Sequence, residues 1–169
     1  MKSLYFLLFL PFNLSAEVLS SSANGFTIQI ERQVAAEPAT AYQQFIKVGD
    51  WWNADHTYYG QSANLTLDAR AGGCLCEIDG DKQVLHMTVS YVEPGKEVRM
   101  IGGLGPLQMM GVHGGMSWQF VPVGKSETKI IHRYQVTGFM DGGLDKLAPI
   151  VDKVQTLQVE LLVTKLNVK

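Results

Sequence analysis

A long apolar stripe near the C-terminal end constrains the fold more than any other feature of this sequence. Within residues 144–166, apolar side chains recur at three- and four-residue steps, which is the spacing of one face of an α-helix. These side chains are Leu147, Ile150, Val151, Val154, Leu157, Leu161 and Leu162. Pro149 lies early in the stretch, where the first turn of a helix tolerates proline. The pattern predicts a long terminal helix, and such a helix needs a large apolar surface to lie on.

The middle of the chain predicts that surface as an antiparallel sheet. Apolar and polar residues alternate there in short segments separated by turns, as in strands that bury one face. The predicted strands are residues 26–34, 63–69, 74–78, 86–92, 96–101, 116–120 and 130–136, with one helix opening at Pro38. A sheet of about six or seven strands should curl, and a helix across its concave side would leave a cavity. The predicted fold class is therefore α+β.

The first residues have the pattern of a secretory signal peptide. Lys2 supplies a positive charge, residues 4–10 are almost wholly apolar, and Leu14-Ser15-Ala16 offers small residues for cleavage. The apolar run is too short for a helix that spans a membrane. We therefore expect residues 1–16 to be a leader and residues 17–169 to be a single domain that is periplasmic or secreted.

Charge and composition limit the partners of this protein. The formal net charge is −2 and the lysines and arginines form no cluster, which argues against a nucleic-acid partner. No further stretch predicts an integral membrane segment in the mature chain. Motifs such as GxSxG and HExxH are absent, so the sequence indicates neither a nucleophile nor a zinc site. We expect a monomer or weak dimer without a cofactor or a resident metal.

Several short motifs occur in the order in which one known family has them. They are residues 26–34 followed by Ala36-Glu37-Pro38, the pair Trp51-Trp52, the sequence Ala71-Gly72-Gly73, residues 89–95, and the terminal helix. With these motifs the sequence resembles the START-like superfamily, also called SRPBCC, which includes polyketide-cyclase-like proteins. The resemblance implies a helix-grip fold, in which a curved sheet wraps around a long C-terminal helix with a deep pocket between them. It also implies binding of an apolar or amphipathic small molecule, lipid-like or polyketide-like, and some family members are enzymes.

Aromatic and methionine side chains, together with the terminal helix, are the predicted lining of this pocket. Aromatic rims mark ligand pockets, and flexible methionines suit an adaptable gate over an apolar ligand. The glycine-rich run 102–115 lacks the pattern of a phosphate-binding loop. We interpret it instead as a loop near the mouth of the cavity that would carry this gate. Ordinary core packing is the alternative for every candidate. The candidates are Trp51, Trp52, Tyr58, Tyr59, Met100, Leu107, Met109, Met110, Trp118, His132, Tyr134, Leu147, Val151, Val154 and Gln158.

An alternative function is a cavity enzyme of the cyclase, isomerase or hydrolase kind. His132 and Tyr134 belong to the inward-facing series of the last predicted strand, together with Ile130 and Val136. If this face lines the pocket, His132 and Tyr134 would be an acid–base pair. A hydrogen-bonded core histidine is the simpler interpretation of His132.

Two cysteines, Cys74 and Cys76, lie two positions apart and would share one face of a strand. Three interpretations stay open: a pair of free buried thiols, a disulfide with a redox role, or two ligands of a soft metal. In a regular strand their Cα atoms would be roughly 6.5–7 Å apart, so a disulfide would be strained. A three-residue loop at residues 79–81 would place His86 opposite Cys74 as a further ligand. A two- or four-residue loop would turn His86 to the other face.

Overall fold

The computed structural model describes residues 16–124 and 126–167. Eight strands occur in these ranges: β1 (Ala16–Ser22), β2 (Gly25–Val34), β3 (Leu65–Leu67), β4 (Cys74–Asp79), β5 (Lys82–Glu93), β6 (Glu97–Gly102), β7 (His113–Val123) and β8 (Glu127–Thr137). The α-helices are α1 (Pro38–Phe45) and α2 (Ala148–Asn167), and short 3₁₀ segments occur at Val48–Asp50, Ala54–His56, Ser62–Asn64, Gly105–Gln108 and Leu144–Lys146. None of these helices is long and apolar enough to cross a membrane. The predicted leader, residues 1–16, lies outside the described residues except at Ala16, where β1 begins.

One antiparallel sheet holds these strands in the order β1-β2-β8-β7-β6-β5-β4-β3. The α+β class is confirmed, but the curved sheet has more strands than the six or seven that the sequence predicted. The strand that the pattern missed is β1, which pairs with β2 so that Ala16 lies opposite Ile30. Most of β1 is exposed and residues 20–22 are all serine, so the strand shows no apolar alternation. Main-chain pairing at the sheet edge leaves little trace in a sequence pattern.

Apolar alternation on β2 and β8 builds the centre of the core. Their inward-facing side chains are buried as predicted: Phe26, Ile28, Ile30, Val34, Ile130, His132, Tyr134 and Val136. The helix α1 covers one end of this face through Phe45, whose ring centroid lies 5.0 Å from that of Trp118 on β7. The concave side of the sheet is thus the core side, and the helices pack there.

The terminal helix is confirmed, although its buried face differs in detail from the apolar stripe. The helix α2 begins at Ala148, directly after the segment Leu144–Lys146, so Pro149 falls in its first turn. It packs on β1 and β2. Val159 and Leu162 are fully buried, whereas Ile150 and Leu157 of the predicted stripe are exposed.

Two glutamines occupy the buried face of α2 in place of some of those apolar residues. Gln155 and Gln158 are both buried, although Gln155 does not belong to the apolar stripe that the sequence predicted as the buried face. Gln158 accepts a hydrogen bond from the Asn53 N–H at 2.9 Å and donates one to His56 Nδ1 at 2.8 Å. A glutamine is buried without a large penalty when its amide group is hydrogen-bonded in this way.

Candidate functional site

A cavity of about 440 Å³ lies between the first half of α2 and the sheet. The sheet contributes Leu65 of β3, Leu75 of β4, His86 of β5 and Tyr134 of β8. The rest of the lining is mostly apolar and comes from α2 and two connecting segments: Trp52, Asp55, His56, Thr57, Tyr58, Leu104, Gly105, Pro106, Leu107, Met110, Leu147, Ile150, Val151, Val154 and Gln155. The cavity that the curled sheet and crossing helix predicted is therefore present.

The course of α2 across the sheet explains why the cavity lies beside its first half. The second half is anchored, since Leu162 is fully buried and Glu160 forms an ion pair with Arg32 of β2 at 2.6 Å. In the first half, Val151 and Val154 are only partly covered by protein and face the cavity. A helix cannot follow the curvature of a twisted sheet along its whole length, so packing at one end leaves space at the other.

Eight of the predicted ligand-binding residues line this cavity. They lie on β8, on or directly before α2, or on the two connecting segments: Trp52, Tyr58, Leu107, Met110, Tyr134, Leu147, Val151 and Val154. Their position is established, and a role in ligand binding stays a prediction.

Other predicted ligand-binding residues lie away from the cavity. Trp51, Met100 and Trp118 are buried in the core, where the ring centroids of the two tryptophans are 5.8 Å apart. Tyr59 faces outward, and the Lys82 ammonium lies 4.8 Å from the centre of its ring. An apolar or aromatic residue type alone does not distinguish the lining of a cavity from the core behind it.

The predicted acid–base residue His132 also lies behind the cavity wall. Its Nε2 donates a hydrogen bond to Gln155 Oε1 at 3.1 Å, and its ring stacks 4.1 Å from Trp118. Burial lowers the pKa of His132 to about 4 and outweighs the opposing effect of the hydrogen bond with Gln155. His132 is thus a neutral core histidine at neutral pH, and Gln155 lies between it and the cavity. The simpler of the two interpretations of His132 agrees with this geometry.

Tyr134 does reach the cavity wall. Its hydroxyl oxygen accepts a hydrogen bond from the Leu104 N–H at 3.2 Å. Burial raises the pKa of Tyr134 to about 12, and the bond from Leu104 lowers it in part. The phenol therefore stays protonated at neutral pH, with its own hydrogen free to be donated. Tyr134 and His132 share a strand face, yet they do not meet at one point of the cavity.

A buried carboxylate that the sequence analysis missed lies directly behind the wall. Glu77 of β4 has no exposed surface. Its oxygens accept hydrogen bonds from the N–H groups of Tyr58 at 3.0 Å and Tyr59 at 2.8 Å, and from His86 Nε2 at 3.1 Å. The signal for it was available, because strand alternation puts Glu77 on the same face as Leu75. A charged residue at an inward position requires partners of this kind.

His86 faces the cavity because of the turn and a bulge in the β4–β5 hairpin. The turn has two residues, Gly80 and Asp81, so Asp79 pairs with Lys82. As predicted for such a loop, His86 then lies on the face opposite the cysteines. The register shift between Leu75 and Cys76 leaves His86 as an extra residue in β5, and both His86 and Met87 are buried. Burial lowers the pKa of His86, and the bond with Glu77 opposes this shift in part.

Cys74 and Cys76 form a disulfide on the outer face of β4, so the interpretation as free thiols was wrong. Their Cα atoms are 5.4 Å apart, which is within the ordinary range for disulfides. The expected strain from a wide Cα separation is therefore not present. A shared metal site with His86 is also wrong, since His86 lies on the other face of the hairpin. Among the described residues, no group of three or more potential ligands could hold a metal ion. A redox role for the disulfide stays a prediction.

The predicted gate corresponds to residues 104–110, which we call the mouth segment. It is fixed at both ends, since Leu104 donates to Tyr134 and the Gln108 side-chain amide donates to the carbonyl oxygen of Leu85 at 2.6 Å. Leu107 is buried and lines the cavity, whereas Met109 is 90% exposed and does not. The mouth segment thus connects β5 and β8 across the cavity, and Met109 of the predicted gate lies on its outer side.

Comparisons with known proteins support the fold. No protein-family model matches the sequence, and no curated protein matches it. A conserved protein of unknown function from Enterococcus faecalis superposes with a TM-score of 0.60 at 10% identity, over 90% of this chain and 76% of that one. A protein from Rhizobium loti gives a TM-score of 0.58 at 18% identity, over 84% of this chain and 97% of that one.

One structure of similar fold comes from a biosynthetic pathway. The di-domain ARO/CYC StfQ of the steffimycin biosynthetic pathway has a TM-score of 0.58 at 13% identity, over 85% of this chain and 51% of that one. At such identities the likeness concerns the fold alone. It agrees with the helix-grip architecture that the sequence resemblance implied.

Proposed function

We propose that this protein is a START-like (SRPBCC) binding protein that holds an apolar or amphipathic small molecule, lipid-like or polyketide-like, in the cavity. The cavity itself carries the proposal, with a volume of about 440 Å³ and a mostly apolar lining. Small-molecule sites in proteins are typically roughly 300–1,000 Å³, apolar, and equipped with a few polar groups that orient the ligand. The likeness to an ARO/CYC protein supports the proposal at the level of fold.

The polar groups of the cavity wall favour an amphipathic ligand over a pure hydrocarbon. Tyr134 has a hydroxyl hydrogen to donate, and Gln155 has a side-chain amide at the wall. Asp55 and His56 are exposed at the rim. A ligand with one polar end or substituent would match this mixture of surfaces.

Native mass spectrometry of the purified full chain tests the proposed binding function. We expect an adduct with the mass of a small organic molecule, which organic extraction removes and which can then be identified. A protein that carries no adduct and that binds none of an offered series of fatty acids, long-chain alcohols and aromatic ketones would contradict the proposal.

A cavity enzyme is the second candidate, and the Tyr134 phenol at the wall favours it. A phenol that stays protonated at neutral pH is suited to donate a hydrogen bond to an oxygen on which negative charge develops during a reaction. Catalysis by Tyr134 together with His132 has less support, because His132 lies behind Gln155. The two functions differ in whether the bound molecule is chemically changed. A binding protein returns its extracted ligand unchanged after incubation, whereas an enzyme of the cyclase, isomerase or hydrolase kind returns an altered molecule.

We also propose that the protein works in the periplasm or outside the cell. The disulfide between Cys74 and Cys76 supports this location, since disulfides persist mainly in oxidising compartments. Fractionation of the producing cell and an intact mass of the recovered protein test this proposal. We expect the protein outside the cytoplasm with a mass that fits cleavage after Ala16. Full-length protein with free thiols in the cytoplasm would contradict it.

A further inference from the structure

The disulfide between Cys74 and Cys76 shortens β4 at one place. The Cα atoms of these two residues are 5.4 Å apart, whereas residues two apart in a regular strand are separated by roughly 6.5–7 Å. Both cysteines are partly exposed on the outer face of the sheet. Cys76 pairs there with Leu85 of β5, which is 57% exposed. The disulfide therefore lies on an open surface where an external thiol can reach it.

The bulge in β5 lies directly opposite this shortened part of β4. Cys74 pairs with Thr88 and Cys76 pairs with Leu85, so three steps of β5 lie against two steps of β4. A bulge of this kind changes the direction of the main chain in the strand that carries the extra residue. How far β5 must bend depends on the length of the two steps of β4. The disulfide and the bulge are therefore parts of one local geometry.

The mouth segment is attached to β5 at this bulge. The Gln108 side-chain amide donates to the carbonyl oxygens of both Leu85, at 2.6 Å, and His86, at 3.3 Å. In a regular strand the carbonyl groups of successive residues point to opposite sides, so one side chain could not reach both. The pairing of β5 with β6 begins only at Thr88, which leaves this side of the bulge open to Gln108. The attachment of the mouth segment thus depends on the bulge.

We propose that Cys74 and Cys76 are a thiol–disulfide exchange site that controls retention of the bound molecule, with a dithiol as the reacting partner. The dithiol supplies two electrons and two hydrogens. The bond between the two cysteine sulfurs breaks, both become thiols, and the two sulfurs of the dithiol join in a disulfide.

Reduction changes the attachment of the mouth segment through the main chain. Without the disulfide, β4 lengthens by more than about 1 Å at this place, and the bulged part of β5 straightens with it. Gln108 then loses at least one of its two acceptors, and the bound molecule leaves faster. The control of release rests on the proposed binding function, whereas the response of the mouth segment does not.

Hydrogen exchange of the full chain, with the disulfide intact and after reduction with dithiothreitol, tests the response of the mouth segment. The readout is the main-chain amides of Leu107, Met109 and Gly111, which are hydrogen-bonded to carbonyl groups of this segment. We expect their exchange to become at least about fivefold faster on reduction, as loss of one net hydrogen bond gives. Amides of β8 should keep their rates. Release of the apolar probe N-phenyl-1-naphthylamine, followed by its fluorescence after dilution, should accelerate by a similar factor.

Three variants separate the exchange site from general effects of mutation. The double variant Cys74→Ser with Cys76→Ser should behave like the reduced wild type and should not respond to dithiothreitol. Gln108→Leu should show fast exchange and fast release in both redox states, because the bonds to β5 are missing. Gln83→Leu removes an exposed glutamine of the same strand β5. It is the matched control and should keep the full response.

The outcomes distinguish this inference from the function on which it rests. Equal exchange of the mouth segment in the oxidised and reduced wild type would overturn the inference while the binding function stands. Faster exchange throughout the sheet, or an unchanged rate of probe release, would overturn it as well. A wild type that binds no probe in either state would overturn the proposed binding function, whether or not the mouth segment responds. All these outcomes are measured on the wild type, so the inference is testable even if a variant fails to fold.

Discussion

Two adjacent glycines in β7 show how a single residue sets the position of a group at the cavity wall. A Cβ atom at Gly114 would lie 2.6 Å from Cε2 of Tyr134 and 2.8 Å from the carbonyl oxygen of Gln135. A Cβ atom at Gly115 would have no heavy atom within 4 Å. The Tyr134 ring thus lies directly on the main chain of Gly114, and this contact helps to place its hydroxyl beside Leu104.

We predict that Gly114→Ala lowers the free energy of unfolding by about 1–3 kcal/mol, because the added methyl group displaces the Tyr134 ring or the main chain. Gly115→Ala is the matched control and should change it by less than about 0.5 kcal/mol. Urea unfolding of both variants checks this prediction. Equal effects of the two substitutions would show that Tyr134 does not pack on Gly114 as described.

The buried His132 predicts a loss of stability in acid. The pKa of His132 is about 4 in the folded protein, and an unfolded histidine has a pKa near about 6.5. Between these values the unfolded chain binds a proton that the folded chain does not. The contribution of His132 to the free energy of unfolding is therefore constant above the pKa of the unfolded chain. It falls as the pH drops below that value, and it levels off near the pKa of the folded protein.

Replacing His132 with phenylalanine should remove this part of the pH dependence. Between about pH 7 and about pH 4.5, we expect the loss of unfolding free energy to be about 2 kcal/mol smaller in His132→Phe than in the wild type. Urea unfolding at the two pH values measures this difference, and the comparison cancels the titration of groups that both proteins share. Parallel pH curves would mean that His132 is solvated or charged in the folded state.

At the residue scale, the sequence predicts burial better than it predicts function. Alternation correctly placed His132 and Tyr134 on the inner face of β8, but only packing decides that Gln155 separates His132 from the cavity. The Glu77–His86 pair depends on a two-residue turn and a bulge, and a shift of one residue in register would have separated the two side chains. Such a pair is visible only once the register is known.

At the scale of elements, hydrogen bonds of α2 hold the segment that forms one side of the cavity. Gln158 connects the helix to Asn53, which precedes the segment Ala54–His56, and to His56, the last residue of that segment. Trp52 and Tyr58 lie on either side of this connection and line the cavity. The buried amide of Gln158 thus links the terminal helix to the aromatic part of the wall.

We predict that Gln158→Ala lowers the free energy of unfolding by about 1–3 kcal/mol, because it leaves the Asn53 N–H without an acceptor. Hydrogen exchange of the main-chain amides of residues 53–57 should become faster. Thr164→Ala is the control, since the exposed Thr164 hydroxyl bonds only to the Glu160 carbonyl within the same helix. Unchanged exchange at residues 53–57 would show that the Gln158 contact does not hold this segment.

Elements were predictable from sequence where they bury an apolar face. Alternation predicted β2 and β8, and the three- and four-residue spacing predicted α2. The edge strand β1 was not predictable, because main-chain hydrogen bonds with β2 hold it in place. Such bonds require no apolar alternation in the side chains of the strand. The apolar stripe also missed part of the buried face of α2, because it left out Gln155. Gln155 and Gln158 are buried because His132, Asn53 and His56 provide hydrogen-bond partners.

At the scale of the whole molecule, the cavity follows from the mismatch between a curled sheet and a helix anchored mainly through its second half. Its existence was predictable from the order of the elements, and eight of the nineteen residues that line it were predicted from the sequence. Its volume and its polar groups were not, because they depend on where α2 comes to rest and on the register of β4 with β5. The central claim is that this space holds a small apolar molecule.

Titration with the fluorescent apolar probe N-phenyl-1-naphthylamine tests that claim most directly. We predict saturable binding of one probe molecule per chain to the wild type. Val151→Trp, which extends a large side chain from α2 into the cavity, should weaken binding at least about tenfold, as expected when a site of this size is filled. Lys153→Trp places the same side chain on the exposed side of α2 and should bind like the wild type. Undiminished binding to a folded Val151→Trp variant, or no binding to the wild type, would contradict the account.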